Sequence, residues 1–479
     1  MIQTFYKRPN GGYLLVMVLV FSAVLMTILT SFVGFIVTQS RLIDQRGSLE
    51  QAGQIAEAGL NYYKWFLAHY PSDTTNGTGL PGPYIGVYSD PEGGPIGEYS
   101  LSVASTTYCG QISSLRVSAT GYTYKAPNVR RVLTAKYSRP NVASYSFILN
   151  SSVWAGPDRV INGPYHSNGG VRMDGTNNSV VSSGQLTWSC SPTFGCTPTT
   201  TRNGVFTSTG NANTALFEYP STPVDFGGLT VDLSLIKSRA VTGGGLFFGV
   251  SSSTNFGYSF RFNSNNTVTV SRVTGTAQYW AYSVENNWQQ ERNVITSTTS
   301  VGTFAIPPAC PVIYVEDKVW LEGVVASKVT IAAASTTSAI LNPSIILQGN
   351  ITYASPTSSG LLAIAEQDVL IGLTVPDDLV LNGIFIAKDG RYGRNHYRDW
   401  GGYELPSTYD SFIIRNSETH NGTIVSSGRV GTQWTSGGVT ISGFRNRFTS
   451  FDRNLMESPP PFIPTTSDVY EFNDWRDAN

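Results

Sequence analysis

Few residues in this 479-residue chain have types and spacings able to do chemistry. Asp377 and Asp378 stand side by side in VPDDLV. Paired carboxylates are what hydrolysis of a glycosidic bond requires, with His396 or His420 brought near by folding. The same Pro-Asp-Asp triplet makes a turn between strands. The turn is the favoured reading, because the basic and polar partners that polysaccharide-cleaving β-helix enzymes set beside such acids are not recognisable. His166 lies among Gly, Asn and Ser and reads as a turn residue rather than a ligand or a base. No H-x-x-x-H, C-x-x-C or Gly-rich phosphate loop occurs. DGTNNS (174–179) and SDPEGG (89–94) resemble pieces of calcium loops, but neither offers enough oxygen ligands in order. No metal and no cofactor is expected.

One cluster has a sharper pattern. KDGRYGRNHYRDWGGY (388–403) sets Lys388, Arg391, Arg394, His396 and Arg398 among Tyr392, Tyr397 and Trp400. Guanidinium groups interleaved with aromatic rings suit a stacking surface that contacts phosphate or glycan. Arg391, Tyr392, Arg394, Tyr397, Arg398 and Trp400 are the candidate ligand residues. The alternative is a solvated loop whose arginines pair with Asp389 and Asp399. Of the four cysteines, Cys190 and Cys196 in CSPTFGC are close enough to close a small loop. An exported chain favours a disulfide there, since no His or further Cys lies nearby to complete a metal site. Cys109 and Cys310 carry no pairing expectation.

The elements that must position these residues follow from composition. Net charge is −1 and charged residues are 13%, which argues against a nucleic-acid binder working by bulk electrostatics. From about residue 141 the chain is rich in Gly, Ser, Thr, Asn and aromatics, as in an all-β extracellular protein. A loose repeat recurs: Gly, an apolar or aromatic residue two on, then Ser or Ala. It is found from Gly163, Gly323, Gly383 and Gly422, with a looser copy at Gly349. Short strands with stacked small and aliphatic residues and no fixed period suggest an irregular right-handed β-helix or related solenoid over 141–479. Alternation alone equally admits a β-sandwich. Residues 185–305, with a hairpin-like stretch at 256–273, read as an inserted lobe. Helical rhythm is confined to 229–241. Pro459 to Pro461 followed by Phe462, Tyr470, Phe472 and Trp475 read as a cap over the last coil.

The N-terminus is organised differently. Residues 13–37 are uncharged and apolar. In helix they span about 37 Å at 1.5 Å per residue, enough for a bilayer core. Lys7 and Arg8 precede them, so the N-terminus is expected in the cytoplasm and the bulk outside. The span is too long for a secretory signal peptide and no A-x-A site follows; a plain signal anchor fits its length. An anchor leaves the continuation unexplained. Leu42, Leu49, Ala52, Ala56, Leu60, Tyr63 and Leu67 mark one helical face on a helix that runs on to about residue 70, where Pro71 ends it. A turn-rich loop at 71–97 follows. Three short alternating segments then form an antiparallel meander ending near 140.

A basic leader ending in Gly12, an aromatic Tyr13, a half-greasy helix and a meander together resemble a type IV pilin or type II secretion pseudopilin. The resemblance covers roughly residues 1–140. NGPYHSNGGVRMDG and its coils look like large bacterial pilin-like surface proteins with grafted β-helical heads. The resemblance implies cleavage between Gly12 and Tyr13 by a prepilin peptidase, methylation of the new N-terminus, and assembly with other pilin-like subunits through the helix. It also implies passage from the inner membrane to the cell surface. Typical pilins carry a Glu five residues into the mature chain; Met17 stands there instead. That departure points to a minor or tip subunit. With the weak catalytic signals and the low charge, the leading expectation is a non-enzymatic subunit whose β-rich head serves attachment, to a host-cell or surface glycan, with no nucleic-acid partner. The other class is a surface-anchored carbohydrate-active enzyme on a plain signal anchor.

Overall fold

The computed structural model describes residues 12–71, 73–227, 232–335, 343–467 and 470–478. Most of the leader (1–11), with Lys7 and Arg8, and the start of the helical stretch at 229–231 lie outside the described residues. The chain forms two compact units: residues 1–104, 116–136 and 474–479, and residues 105–115 and 137–473.

The first unit is built on α1, Gly12–His69, 58 residues or about 87 Å. From Gly12 to Gly47 every side chain is exposed. Several polar groups in the apolar half are satisfied within the helix. Thr27, Thr30 and Ser31 donate to the carbonyls of Val24, Met26 and Thr27 at 2.8 Å, and Thr38 just beyond does the same to Gly34, so these hydroxyls need no water. Burial starts at Ser48 and continues through Ala52, Ile55, Ala56, Gly59, Leu60, Tyr63, Phe66 and Leu67. Leu42 and Leu49, expected on that face, are exposed; the sheet covers the helix only from Ser48 onward.

The sheet runs in the order β1 (Tyr84–Asp90), β2 (Gly94–Tyr108), β3 (Gln111–Thr123), β4 (Ala126–Ser138) and then Glu471–Asp477. β1 pairs antiparallel with β2, Tyr84 facing Leu101. It occupies part of the stretch expected to be loop, because flanking Pro and Gly masked the alternation of Tyr84, Gly86 and Tyr88. The last strand is a second correction. The tail does not end as a cap on a coil. Arg131 binds Asp477 through Nε and Nη2 at 2.9 and 2.6 Å, and Ala478 N donates to Val132 O. Trp475 is exposed. Leu101, Val117, Ala119, Leu133 and Ala135 form the buried side of the sheet. At Gly121 a Cβ would lie 2.1 Å from the Ala52 carbonyl oxygen, so the helix backbone rests directly on the sheet.

The second unit is a parallel β-solenoid. Along one face the stacked strands follow in the order Leu246–Phe248, Val312–Val315, Lys328–Ala333, Gly360–Ala365, 384–387, 423–426, Phe147–Leu149, Tyr165–Ser167, Val181–Ser183 and Phe217–Glu218. All neighbours are parallel, so this is the solenoid and not the sandwich. The chain enters in the middle of the stack at Phe147. It builds out to Glu218, crosses through 219–245 to the far end, and returns coil by coil until Ile424 pairs with Phe147. On a second face the same seam joins Arg447 to Arg159 and Thr449 to Ile161.

Strands of this face are apolar on both sides. Val329, Ile331, Leu361 and Ala363 point to the interior. Leu362, Ile364, Ile384 and Val425 pack outward beneath Ile236 and Ala240 of the returning helix, Leu233–Val241. Phe462 and Ile463 of the Pro-rich tail pack against the same outer layer. The repeated glycines mark a corner of each coil. Gly323, Gly383 and Gly422 have φ of 114°, 151° and 139°, which side-chain-bearing residues rarely adopt. Beside them Asn421 donates to Asn382 at 2.9 Å and Ser450 to Asn421 at 2.8 Å, a ladder of side chains along the axis.

The expected insertion at 185–305 is narrower than its composition. Val205–Phe206, Phe217–Glu218, Leu246–Phe248 and Tyr258–Asn263 are coil strands paired parallel with their neighbours. Two antiparallel hairpins leave the stack: Thr187–Cys190 with Thr200–Asn203, and Thr267–Ser283 with Asn287–Ala305. Short strands within Ser- and Asn-rich sequence carry no period by which to separate coil from excursion.

Candidate functional site

The cluster at 388–403 divides by burial. Arg391, Tyr392, Arg394 and Tyr397 are buried; Tyr392, Arg394 and Tyr397 line neither cavity described below, while Arg391 contributes to the wall of one. The long hairpin covers Tyr397, with Tyr279, Ala281 and Val294 packing against it, Leu373 and Leu405, while Tyr392 faces the solenoid interior. Arg394 donates to the carbonyls of Gly372, Leu373 and Phe412. The hydroxyls of Tyr279 and Tyr397 both donate to the buried Glu291, at 2.9 and 3.1 Å. Arg391 pairs with Glu285 at 3.2 Å and Tyr392 donates to Glu418. The buried arginines thus bond to Glu285 and main-chain carbonyls, while Asp389 pairs with Lys388.

Arg398 and Trp400 stay accessible. Arg398 lies over Trp288 at 4.3 Å, with Tyr403 and Trp400 at 5.3 and 5.4 Å. Trp288 stacks on Tyr403 at 5.1 Å, and Trp280 meets Tyr403 edge-on at 5.0 Å. Trp400 is 71% exposed. The hairpin tip QYWAYSVENNWQQ (278–290) supplies half of this platform. Its aromatic density was the signal in the sequence; its partner loop lies more than a hundred residues away.

Beside the platform, Tyr282 meets Trp434 at 5.5 Å. Both line a cavity of about 330 Å³ with Trp154, Glu285, Arg391 and Arg429. A second cavity of about 300 Å³ shares Trp154 and Arg429 as walls and adds Arg159, Tyr165, Arg445 and Arg447. It lies at the seam, where the first coil of the solenoid sits on the last. GPDR (156–159), RVGTQWT (429–435) and RNR (445–447) meet only because of that pairing, so no local pattern marks the site.

Each wall is held in place. Trp154 donates its indole N–H to Asp174 at 2.8 Å, and Arg172, itself bonded to Asp174 at 2.7 Å, lies 4.3 Å from its ring. Arg447 forms a two-point pair with Asp158 at 2.6 Å and reaches Gln433 at 3.0 Å. Arg159 bonds Thr449. Burial, joined by the like charge of Arg447, holds its guanidinium below the ordinary value, while Glu418 opposes the shift. Arg429 donates to the Thr193 carbonyl and lies 4.4 Å from the Phe194 ring. Arg445 stands exposed at the rim. Four guanidinium groups of this lining therefore face one lining carboxylate, Asp158, which Arg447 already engages.

The remaining candidates do structural work. Asp378 accepts from Ser417 and Asn416, which hold it below the usual carboxylate range; Asp377 caps the Asn416 amide. Both acids are exposed and line neither cavity. His420 is in the solenoid interior, where burial and the charge of Arg159 push it down to about 3. His396 sits among aromatic rings, pushed down to about 4 by burial and then by Arg398. His166 is a strand residue, not a turn residue, bridging Ser182 and Asn168 at 2.9 Å. Of the calcium-like fragments, Asp174 serves Trp154 and Arg172, and Asp90 turns the β1–β2 hairpin. Among the described residues no group of three His, Cys, Asp or Glu side chains is placed to hold a metal ion.

Cys190 and Cys196 are joined by a disulfide packed against Trp188. Cys109 and Cys310 form a second, within the larger unit. Gly12 opens α1 with nothing within 4 Å of a would-be Cβ, and Tyr13 and Met17 are exposed.

Neither a family model nor a curated protein matches the chain. Among solved structures it is similar to the competence-associated pilin ComZ from Thermus thermophilus, at 12% identity and a TM-score of 0.28, over 90% of this chain and 97% of that one.

Proposed function

We propose that this chain is a non-enzymatic, pilin-like minor or tip subunit that carries a β-solenoid head to the cell surface for attachment. The observation that carries the reading is α1. Its apolar half is exposed from residue 13 to 37, with the Thr27, Thr30 and Ser31 hydroxyls satisfied internally, while its second half lies on an antiparallel sheet. A helix greasy all round needs lipid or sister helices, and here it continues without a break into a folded exported unit. Processing by a prepilin peptidase would cut between Gly12 and Tyr13, and assembly with other pilin-like subunits would follow through the helix. The two seam cavities support binding rather than hydrolysis: their lining carboxylates Asp158 and Glu285 are engaged by Arg447 and Arg391, and the adjacent acids Asp377 and Asp378 are turn-bound and line neither.

Mass spectrometry of surface material tests this. A chain beginning at a methylated Tyr13 is expected, and Gly12→Val should abolish it. An intact Met1 in surface material would leave a plain anchor.

A further inference from the structure

We infer that the seam groove is a binding site for an acidic saccharide, a short chain of carboxylate-bearing sugars. The inference rests on the head being the ligand-binding part of the subunit. Two contiguous cavities of about 300 and 330 Å³ share the Trp154 ring and Arg429. Each is at the lower end of small-ligand sites, about 300–1,000 Å³, and joined they suit a short oligosaccharide better than a single metabolite. Guanidinium groups are in excess. The Arg447–Asp158 pair, two bonds at 2.6 Å, shows the planar two-point geometry a carboxylate takes here. Arg429 and Arg445 line the same cavity, Arg429 hydrogen-bonded to a main-chain carbonyl, set against a ring face and within the field of Glu285, and Arg445 exposed. Planar, two-point recognition of carboxylate is what arginine does best.

The neutral part of the lining fits sugar hydroxyls. Gln433, Thr435 and Thr440 add amide and hydroxyl groups, and Trp154 offers an apolar platform fixed by Asp174. Beyond the Tyr282–Trp434 pair the surface continues to the Trp288–Tyr403–Trp400 platform, where further sugar rings can stack.

A nucleic-acid strand is disfavoured by the same residues. The cations cluster around two adjoining cavities instead of tracking a backbone, Asp158 and Glu285 interrupt them, and the chain has a net charge of −1.

The test is calorimetry on the full-length chain in detergent micelles. The probes are trigalacturonate, sialyllactose, methyl-esterified trigalacturonate, inorganic phosphate and a short single-stranded oligodeoxynucleotide. At least one acidic saccharide is expected to bind and to perturb tryptophan fluorescence. Neutralising the carboxylates by esterification, or Arg445→Gln with Arg429→Gln, should weaken it at least about 10-fold, the worth of one charge-assisted pair. Arg445→Gln alone changes an exposed residue and should weaken binding without lowering the melting temperature. The inference is overturned if no acidic saccharide binds, if acid and ester bind equally, if the variants bind like the parent, or if phosphate or the oligonucleotide displaces the saccharide at comparable concentration. A positive result with an intact Met1 on cells would retain this site and reject the pilin-like reading; the converse would do the opposite.

Discussion

Asp174 shows how one side chain sets the groove. It is 1% exposed and accepts from Trp154, Arg172 and the Ser208 amide. Asp174→Ala leaves a mostly buried guanidinium and an indole N–H without their acceptor. Breaking such a pair costs about 3 kcal/mol or more, which denaturant titration should register, and tryptophan emission should shift as Trp154 loses its fixed position. Asp174→Asn should recover part of the stability, because the amide oxygen still accepts the indole proton. His420 makes a second residue-scale case. Its folded value of about 3 is below the usual 6.5 or so of an unfolded histidine. The unfolded chain therefore binds more protons between those values, and stability falls as pH drops from about 6.5 toward 3. The slope contributed is at most about 1.4 kcal/mol per pH unit. His420→Leu should flatten the loss between pH 6.5 and 4.5 in parallel denaturation curves. An unchanged difference between parent and variant at the two pH values would defeat the assignment.

At the scale of elements, α1 and the sheet meet through missing side chains. Gly121 admits the Ala52 backbone, and Gly59 admits the Tyr99 ring, 2.8 Å from a would-be Cβ. Gly121→Val places a branched carbon against a carbonyl that cannot move without displacing the helix. Overpacking of this kind costs about 1–3 kcal/mol, occasionally more. The expected result is a lower melting temperature of the full chain with the helix content in circular dichroism retained. Gly110, exposed in the β2–β3 turn at φ 72° with open space around it, gives the contrast. There substitution strains only the backbone, so Gly110→Asn should be far milder, since Asn tolerates that region. Equal losses at both glycines would show that close approach is not what Gly121 provides.

For the whole molecule, on the proposed reading as a processed pilin-like subunit, the question is how many copies one filament would accept. In a bundle extended from below, the N-terminal amine of each mature chain enters a low-dielectric core, where an unpaired charge is costly. Met17 offers it no carboxylate. A run of identical subunits would bury one uncompensated amine per copy, and a head spanning residues 137–473 adds steric limits. Low copy number at the tip is the expected outcome, read by immunogold labelling of the head. Met17→Glu should raise incorporation below the tip. Regular labelling of the whole shaft by the parent chain would refute the argument.

Local periodicity in the sequence was enough to read α1, three of the meander strands and the short strands of the larger unit, while leaving their stacking as solenoid or sandwich open. A 3.6-residue stripe, a two-residue alternation and recurrent glycines are each imposed by contacts within a few residues of chain. The close pair Cys190–Cys196 was legible for the same reason. What the tertiary structure alone decided depends on partners distant in sequence. Burial of Tyr397 and the Arg391–Glu285 pair needed the long hairpin to fold over the loop, and burial of Tyr392 needed the stacked coils around it. The Cys109–Cys310 bond spans a sequence separation of 201. Axial order in the solenoid differs from chain order, and the groove exists only because Ile424 pairs with Phe147 and Arg447 with Arg159. A parallel ladder is satisfied by any apolar neighbour of matching pleat, so short-range pattern specifies that a coil stacks, while the packing of the completed chain specifies on which.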